Sequence, residues 1–287
     1  MQFDLATLLA QWAAGGLLFC WVTTRRREVG IGYGWLLRIS YGAMAILSVV
    51  SGAGDDGTGA LVRNVCTGLM AAAAAAALLQ SYVRRAAGVR GQRETRERRA
   101  ARVAAMTGQG SADGDQPEED GALPEFDPRL DLVAPIIGLV GLFGAASFVG
   151  GDFALSLARL VVGAAFLGAV SDAMLLGHWY LVQPGLSREP IKEMVRAVAA
   201  LWPFELVVYL IPIGMVSVLN GTVDDGYGGL MGWMWVVAAV TTIGLVIATW
   251  FALKERSYSA VMAATGLMYL AILTGFGMDL LPRALLS

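Results

Sequence analysis

The sequence predicts an all-α polytopic membrane protein with eight transmembrane helices. Hydrophobic residues make up 56% of the 287 residues and charged residues only 15%, whereas an average soluble domain is about 25% charged. Eight apolar stretches are long enough to cross roughly 30 Å of hydrocarbon, which takes about 20 residues. The lysines and arginines are concentrated in alternate connections between these stretches.

The predicted spans follow one another along the chain with one long interruption. Their approximate bounds are 4–24, 31–51, 60–83, 131–150, 153–182, 195–219, 229–253 and 258–281. No basic region precedes the first span and no small-residue cleavage site follows it, so we expect it to be retained rather than removed as a signal peptide. Three segments result: a three-helix membrane segment (1–83), a cytoplasmic loop (84–130) and a five-helix membrane segment (131–287).

Charge placement predicts the orientation of the helices. Seventeen of the 21 lysines and arginines lie in the connections 25–27, 84–129, 188–196 and 254–256. The alternate connections carry aspartates instead, at 55–56, 152 and 224–225. Cytoplasmic loops are rich in Lys and Arg, so this pattern predicts that both termini lie outside. The Arg-rich, Ala-rich and Gly-rich composition suggests a bacterial source, and hence a bacterial cytoplasmic membrane.

The cytoplasmic loop changes character along its length. Its first half, "RRAAGVRGQRETRERRAARVAAM", has oppositely charged pairs at i,i+4 spacing and predicts a helix. We expect Arg84, Arg85, Arg93 and Arg98 to lie on anionic lipid as an anchor. The second half is acidic and rich in Gly and Pro, which predicts disorder. Nucleic-acid binding is disfavoured because no aromatic residues interleave with the arginines.

Two connections on the aspartate side resemble each other. "SGAGDDGTGALV" (51–62) and "LNGTVDDGYGGLM" (219–231) each contain Asp-Asp-Gly followed by a glycine-rich tail. If spans one to four correspond to spans five to eight, the chain consists of two parallel four-helix repeats. The alternative is that both segments are ordinary Gly-rich and Asp-rich turns.

Few ionisable residues are predicted at membrane depth, where each costs about 2.5–3.5 kcal/mol or more without a partner. Arg38, Arg63 and Arg159 lie near span ends, where they are expected to extend towards the headgroups. Asp172 and Glu205 lie deeper, on the fifth and sixth spans.

The turn between the fifth and sixth spans is predicted to be short. Pro184 and Gly185 end the fifth span, and Ser187 caps the sixth, which has Pro190 in its first turn. Asp172 and Glu205 then both lie about 15 Å from the cytoplasmic surface. If both face the bundle interior, we expect either one shared proton or a water molecule between them, with coupled titrations. Pro203 and Pro212 flank Glu205 and predict a kink or local water.

His178 is the only histidine, and "GHWY" places it beside Trp179 and Tyr180 at the end of the fifth span. An interfacial histidine in an aromatic belt is one interpretation. A hydrogen-bond donor to a quinone, or a proton-entry group, is another. Axial haem ligation is disfavoured because a bis-histidine site needs a second histidine, which the chain lacks.

The leading functional hypothesis is a subunit of a redox or respiratory assembly, with a quinone or proton site between the fifth and sixth spans. The candidate residues are Asp172, His178, Glu205, Trp202 and Tyr209. Alternatives are a proton-coupled secondary transporter and a non-catalytic scaffold. No catalytic motif or metal-binding motif is present in the sequence, and the sequence identifies no substrate, partner protein or oligomeric state.

Overall fold

The computed structural model describes residues 4–87, 125–183, 186–255 and 257–286, and these residues form α-helices, short 3-10 turns and connections. The prediction of an all-α fold is confirmed. The α-helices are α1 (Leu5–Thr24), α2 (Ile31–Ser51), α3 (Thr58–Val83), α4 (Val133–Phe148), α5 (Phe153–Val182), α6 (Glu189–Leu210), α7 (Gly214–Leu219), α8 (Leu230–Ala252) and α9 (Tyr258–Leu285).

Within the described chain, seven helical segments are long and apolar enough to cross a membrane. They are α1, α2, α3, α4 with the 3-10 turn Pro128–Leu132 before it, α5, α8 and α9. The protein is therefore a multi-pass membrane protein. The structure divides the sixth predicted span (195–219) into two helices, since α6 ends at Leu210 and the short α7 begins at Gly214. Helix α6 falls outside the apolar set because it carries five charged residues: Glu189, Lys192, Glu193, Arg196 and Glu205.

Helix packing follows the order of the chain. Each helix from α1 to α4 packs on the next one, and α4 also packs on α1. The second group of helices repeats this pattern: α5 packs on α6, α6 on α8, α8 on α9, and α9 also packs on α5. Helix α1 packs along α5 and so joins the two groups.

Small residues let α1 and α5 approach closely. A Cβ placed on Gly15 would lie 1.7 Å from the carbonyl oxygen of Ala164, and one on Gly168 would lie 2.3 Å from the carbonyl carbon of Gly15. Glycine and alanine at such a crossing bring two backbones into van der Waals contact, which favours helix association in membranes. The α1–α5 contact thus positions the polar residues of both helices near the centre of the bundle.

The connections rich in lysine and arginine meet at one end of the bundle. Arg25 and Arg26 pair with Glu193 at the start of α6, and Ser187 donates a hydrogen bond to Glu28. The backbone N–H of Gly30 donates to Gln183 at 2.9 Å. Arg188 donates to the carbonyl of Ser257 at 2.8 Å, which brings the α8–α9 connection to the same end. We call this the basic end.

The three arginines expected to extend towards headgroups do not do so. Arg38, Arg63 and Arg159 are only 3%, 0% and 7% exposed. Arg63 pairs with Asp4 and Asp55, and Arg38 pairs with Asp131 at 2.7 Å. For Arg38 and Arg63 the prediction was wrong because it overlooked these acidic partners, whose charge compensates the guanidinium inside the bundle. Arg159 is held inside instead by the backbone carbonyls of Val208 and Ile211.

Other local predictions also need correction. Ser187 does not cap α6, whose N-cap is Arg188 without a side-chain hydrogen bond, because the Ser187 hydroxyl is used by Glu28. Pro190 lies in the first turn of α6 as predicted, and α5 ends at Val182. Pro184 and Gly185 lie outside the described residues, as does the part of the predicted basic helix and acidic linker between 88 and 124.

Candidate functional site

Glu205 lies on α6 and its side chain is completely buried. Neither carboxyl oxygen has a hydrogen-bond partner among the described residues. Asp279 and Arg283 of α9 are the charged groups that act on Glu205, and Arg283 also donates to the carboxylate of Asp279. Buried polar groups are normally satisfied, so the unpaired carboxyl of Glu205 makes this position a candidate functional site.

Asp279 is the centre of a hydrogen-bonded group. Arg283, one turn further along α9, donates Nε to Oδ2 at 2.9 Å and a second nitrogen to Oδ1 at 2.8 Å. The hydroxyl of Tyr209 donates to Oδ1 at 3.0 Å. A bidentate arginine and a tyrosine hydroxyl hold this carboxylate in one orientation, so Asp279 is the fixed member of the carboxyl pair.

An arginine donates hydrogen bonds to the backbone where α6 ends. Pro212 has no N–H to donate to the carbonyl of Val208, four residues earlier. Arg159 of α5 donates to that oxygen at 2.9 Å and to the carbonyl of Ile211 at 3.0 Å. Its guanidinium lies 5.5 Å from the ring centre of Tyr209, and that of Arg283 lies 5.9 Å from the same ring. Tyr209 is therefore flanked by two cations.

Gln11 brings α1 into the cluster. Its side chain is completely buried, and neither its amide nitrogen nor its oxygen has a hydrogen-bond partner in the described chain. Three polar atoms surround the position that a Cβ on Gly163 would take: Gln11 Nε2 at 2.3 Å, Asp279 Oδ1 at 2.7 Å and an Arg283 nitrogen at 3.0 Å. Because Gly163 lacks a side chain, α1, α5 and α9 share one polar space. We call Gln11, Glu205, Tyr209, Asp279 and Arg283 the carboxyl cluster.

Asp172 belongs to a different group. It is completely buried on α5, accepts a hydrogen bond from Tyr41 of α2 on one oxygen, and has no partner for the other oxygen. Tyr33 donates to the backbone carbonyl of Asp172 at 3.3 Å. Asp172 therefore contacts α2 whereas Glu205 faces α9, and the expected Asp172–Glu205 proton pair is replaced by two separate groups.

Tyr209 belongs to the carboxyl cluster, whereas His178 and Trp202 make their hydrogen bonds to residues outside it. His178 is exposed on the bundle surface, with Nδ1 3.5 Å from the hydroxyl of Tyr269. Trp202 is half-buried and donates to the carbonyl of Ala239 at 3.0 Å.

The predicted lipid anchor is described only at its start. Arg84 donates to the carbonyl of Glu125 at 3.2 Å, and the guanidinium of Arg85 lies 4.0 Å from the ring centre of Tyr82. Arg93 and Arg98 lie outside the described residues. The residues that the structure describes include no group of three His, Cys, Asp or Glu side chains placed to hold a metal ion.

Sequence reasoning missed three members of the cluster: Gln11, Asp279 and Arg283. A usable signal was present, since Asp279 and Arg283 have the i,i+4 spacing of a helical ion pair near the end of an apolar segment. Gln11 had no such signal, because an isolated glutamine in a span predicts neither its partner nor its depth. Comparisons with protein-family models, with curated proteins and with solved structures found no match.

Proposed function

We propose that the protein transfers protons within the membrane through Glu205 and Asp279, as a proton-coupled transporter. The observation that carries this proposal is the burial of Glu205, without a hydrogen-bond donor, beside a second carboxyl. Two ionised carboxylates are both acceptors only and cannot hydrogen-bond to each other. A single proton supplies the missing donor, and it then belongs to the pair rather than to either residue.

The charges in the cluster support the same proposal. Arg283 neutralises one of the two carboxylates through its bidentate contact with Asp279. A second negative charge on Glu205 has no ion pair of its own among the described residues, and Arg159, the other arginine beside Tyr209, is already bound to two backbone carbonyls. Because a buried charge without a close partner is costly, a proton on Glu205 gives the cluster a balanced charge. Loss of that proton creates an imbalance that a transport step can use.

Gln11 can form a hydrogen bond with a neighbouring carboxyl group whether that group is protonated or ionised. A primary amide has both a donor and an acceptor, so it can donate to an ionised carboxylate and accept from a protonated one. Its unpaired nitrogen lies in the space opened by Gly163, next to Asp279, and its oxygen is also without a partner among the described residues. We therefore include Gln11 as the group that accommodates both states.

We further propose that α6 is an eighth span, with both termini outside a bacterial cytoplasmic membrane. Glu193 in its first turns pairs with Arg25 and Arg26 at the basic end. Tyr209, near its other end, lies by Arg159 in the first third of α5. Helix α6 thus runs the length of its neighbour, and four of its five charged residues lie in its first two turns at the basic end. Placing the basic end in the cytoplasm agrees with the distribution of arginine.

An internal duplication fits the helix contacts. Helices α1 to α4 and helices α5, α6, α8 and α9 have the same neighbours in the same order, and the first helices of the two groups pack on each other. This arrangement supports two parallel four-helix repeats, with the carboxyl cluster at their junction, since Gln11 comes from the first group and Glu205 from the second.

A redox subunit with a quinone site is the second candidate. It is favoured by His178 and Tyr269, two exposed polar groups 3.5 Å apart on the outer surface of α5 and α9. Trp179 follows His178 in the chain, and its ring centre lies 5.8 Å from that of Tyr33. A histidine and a tyrosine at the bundle surface suit hydrogen bonds to a quinone or contact with a partner subunit.

Proton flux into liposomes containing the purified protein tests the proposal. An imposed gradient should drive proton entry, reported by a pH-sensitive dye inside the vesicles. Glu205→Gln should reduce entry to the level of protein-free liposomes, because the amide resembles the protonated acid and cannot release its proton. The variant should still fold, since it supplies a permanent donor towards Asp279.

Glu189→Gln is the matched control, on the same helix but exposed at the basic end, and it should conduct as the wild type does. Unchanged flux in Glu205→Gln would contradict the proposal. Absence of flux in the wild type, together with a quinone that co-purifies with it and is lost in His178→Ala, would favour the second candidate.

A further inference from the structure

A cleft at the basic end is separate from the carboxyl cluster. It has a volume of about 40 Å³. A water molecule needs roughly 10–15 Å³ of such space, so the cleft has room for about three waters or for the outer oxygens of one phosphate group. Its walls come from the ends of α1 and α3, the first turns of α2, and residues 125–128.

Arg38 provides an unused donor in the wall of this cleft. Asp131 accepts from Nε and from one terminal nitrogen of the guanidinium, each at 2.7 Å. The other terminal nitrogen is buried and has no partner among the described residues. It lies 2.8 Å from the position of a Cβ on Gly34, which also lines the cleft. Because Gly34 has no side chain, the guanidinium can lie across α2 at this point.

The rest of the wall is also suited to an anion. Helix α2 begins at Ile31 with Gly30 as N-cap, which has no side chain to accept from the first turn, although the N–H of Gly30 itself donates to Gln183. Gly30 and Ile31 line the cleft, so the positive end of the helix dipole lies beside it. Arg27 adds a second guanidinium, paired with Glu125 at 3.2 Å. Ser81 accepts from Trp35 at 3.0 Å and retains its own proton for donation.

From these contacts we propose that the cleft binds a phosphate group. Arginine binds phosphate oxygens through directed N–H donors, and the unpaired nitrogen of Arg38 supplies two of them. The phosphate comes from a lipid headgroup or from free phosphate, since the basic end lies at the level of the membrane surface in the proposed orientation. The site does not depend on proton transfer at Glu205.

Binding to the detergent-solubilised full chain tests this site with three probes: phosphatidylglycerol, phosphatidylcholine and inorganic phosphate. Native mass spectrometry and thermal protection report occupancy. Retention of phospholipid with no effect of inorganic phosphate assigns the site to a lipid headgroup. Saturable protection by inorganic phosphate assigns it to the free ion. Absence of binding by all three probes overturns the proposal.

Gly34→Ala should weaken binding by about tenfold or more, the effect of losing a hydrogen bond to a charged group. Gly42→Ala is the matched control on the same helix, because its Cβ would meet only Ala74 at 4.0 Å. If Gly34→Ala does not fold, Arg27→Gln replaces it, since Arg27 is 41% exposed. Glu125→Gln should strengthen binding by removing a competing negative charge. Equal affinity in Gly34→Ala, Arg27→Gln and the wild type overturns the proposal.

Discussion

Arg159 donates to the carbonyl oxygen of Val208 at 2.9 Å, and this is the oxygen that Pro212 leaves without a helical donor. A side chain of α5 thus replaces the backbone hydrogen bond that proline removes from the end of α6. In a membrane, where water is scarce, an unsatisfied carbonyl is costly. The break that follows Glu205 is therefore part of the folded structure and depends on Arg159.

Replacement of Arg159 should destabilise the protein. Arg159→Met leaves the carbonyls of Val208 and Ile211 unpaired, and we expect a loss of about 2–4 kcal/mol, since each buried unsatisfied group costs about 1–3 kcal/mol. Reversible unfolding in mixed micelles measures the difference. Arg188→Met is the matched control, because Arg188 also donates to two backbone carbonyls, those of Glu255 and Ser257, in exposed hydrogen bonds. A loss in the control as large as that in Arg159→Met would contradict this explanation.

The crossing of α1 and α5 should not tolerate a larger residue at Gly15. The new Cβ of Gly15→Ala would lie 1.7 Å from the carbonyl oxygen of Ala164, so one backbone must move. Overpacking of this kind costs about 1–3 kcal/mol or more. Gly244→Ala has no atom within 4 Å of its new Cβ and should be neutral or stabilising by up to about 1 kcal/mol. Thermal unfolding of both variants would compare them, and equal melting temperatures would show that the close crossing is absent.

The connection between α7 and α8 should become less stable at low pH. The pKa of Asp225 is held below its ordinary value, first by the N–H of Gly229 and also by those of Tyr227 and Met231, which donate at 2.8 Å, 2.9 Å and 2.9 Å. Because the pKa is lower in the folded state, the stabilisation is present above the ordinary pKa of about 3.9. It is lost as pH falls through the lowered value.

Hydrogen exchange measures this effect at the amides of Gly229 and Met231. Their protection should decrease at low pH, and Asp225→Asn should reduce it already at neutral pH. Among the described residues Asp224 accepts from one backbone N–H, that of Gly226, so Asp224→Asn should leave the two amides protected. Protection that does not depend on pH in the wild type would be inconsistent with the ionised Asp225 cap.

The proposal that α6 is an eighth span has its own test. Single cysteines in place of Glu189 and Thr222, both exposed and on either side of α6 and α7, should react with a membrane-impermeant maleimide from opposite sides. Cys20 is buried, and Cys66→Ala removes the other native thiol. Labelling of both positions from the same side would mean that α6 does not cross, and the orientation would need revision.

The composition and spacing of the chain predicted the helices well, because an apolar run of about 20 residues has one stable form in a membrane. The bounds 31–51 and 153–182 coincide with α2 and α5. The side-chain partners were harder to predict. Arg63 could have pointed to water, but Asp4 and Asp55, from two other segments, hold it inside. The rotation of each helix about its own axis determines which side chains meet. A segment that is hydrophobic on all sides does not reveal this rotation.

At the candidate site, too, the position of a residue was easier to predict than its side-chain partner. Glu205 was identified as a candidate from its position in the chain, and its side chain is buried. Its neighbouring carboxyl was not identified, because Asp172 lies on the preceding long helix whereas Asp279 lies on a helix more than 70 residues away in sequence. Only the packing of α9 beside α6 distinguishes the two.

Infrared difference spectroscopy of the reconstituted protein tests the central claim most directly, because it detects the carbonyl stretch of a protonated carboxylic acid. We expect such a band at neutral pH in the wild type. Glu205→Gln should remove the component of the band that comes from Glu205, whereas Glu189→Gln should leave it in place. A shift of the band in Asp279→Asn would assign the proton to the pair. A wild-type spectrum without any protonated carboxyl band, or a band unchanged by Glu205→Gln, would contradict the proton site at Glu205 and Asp279.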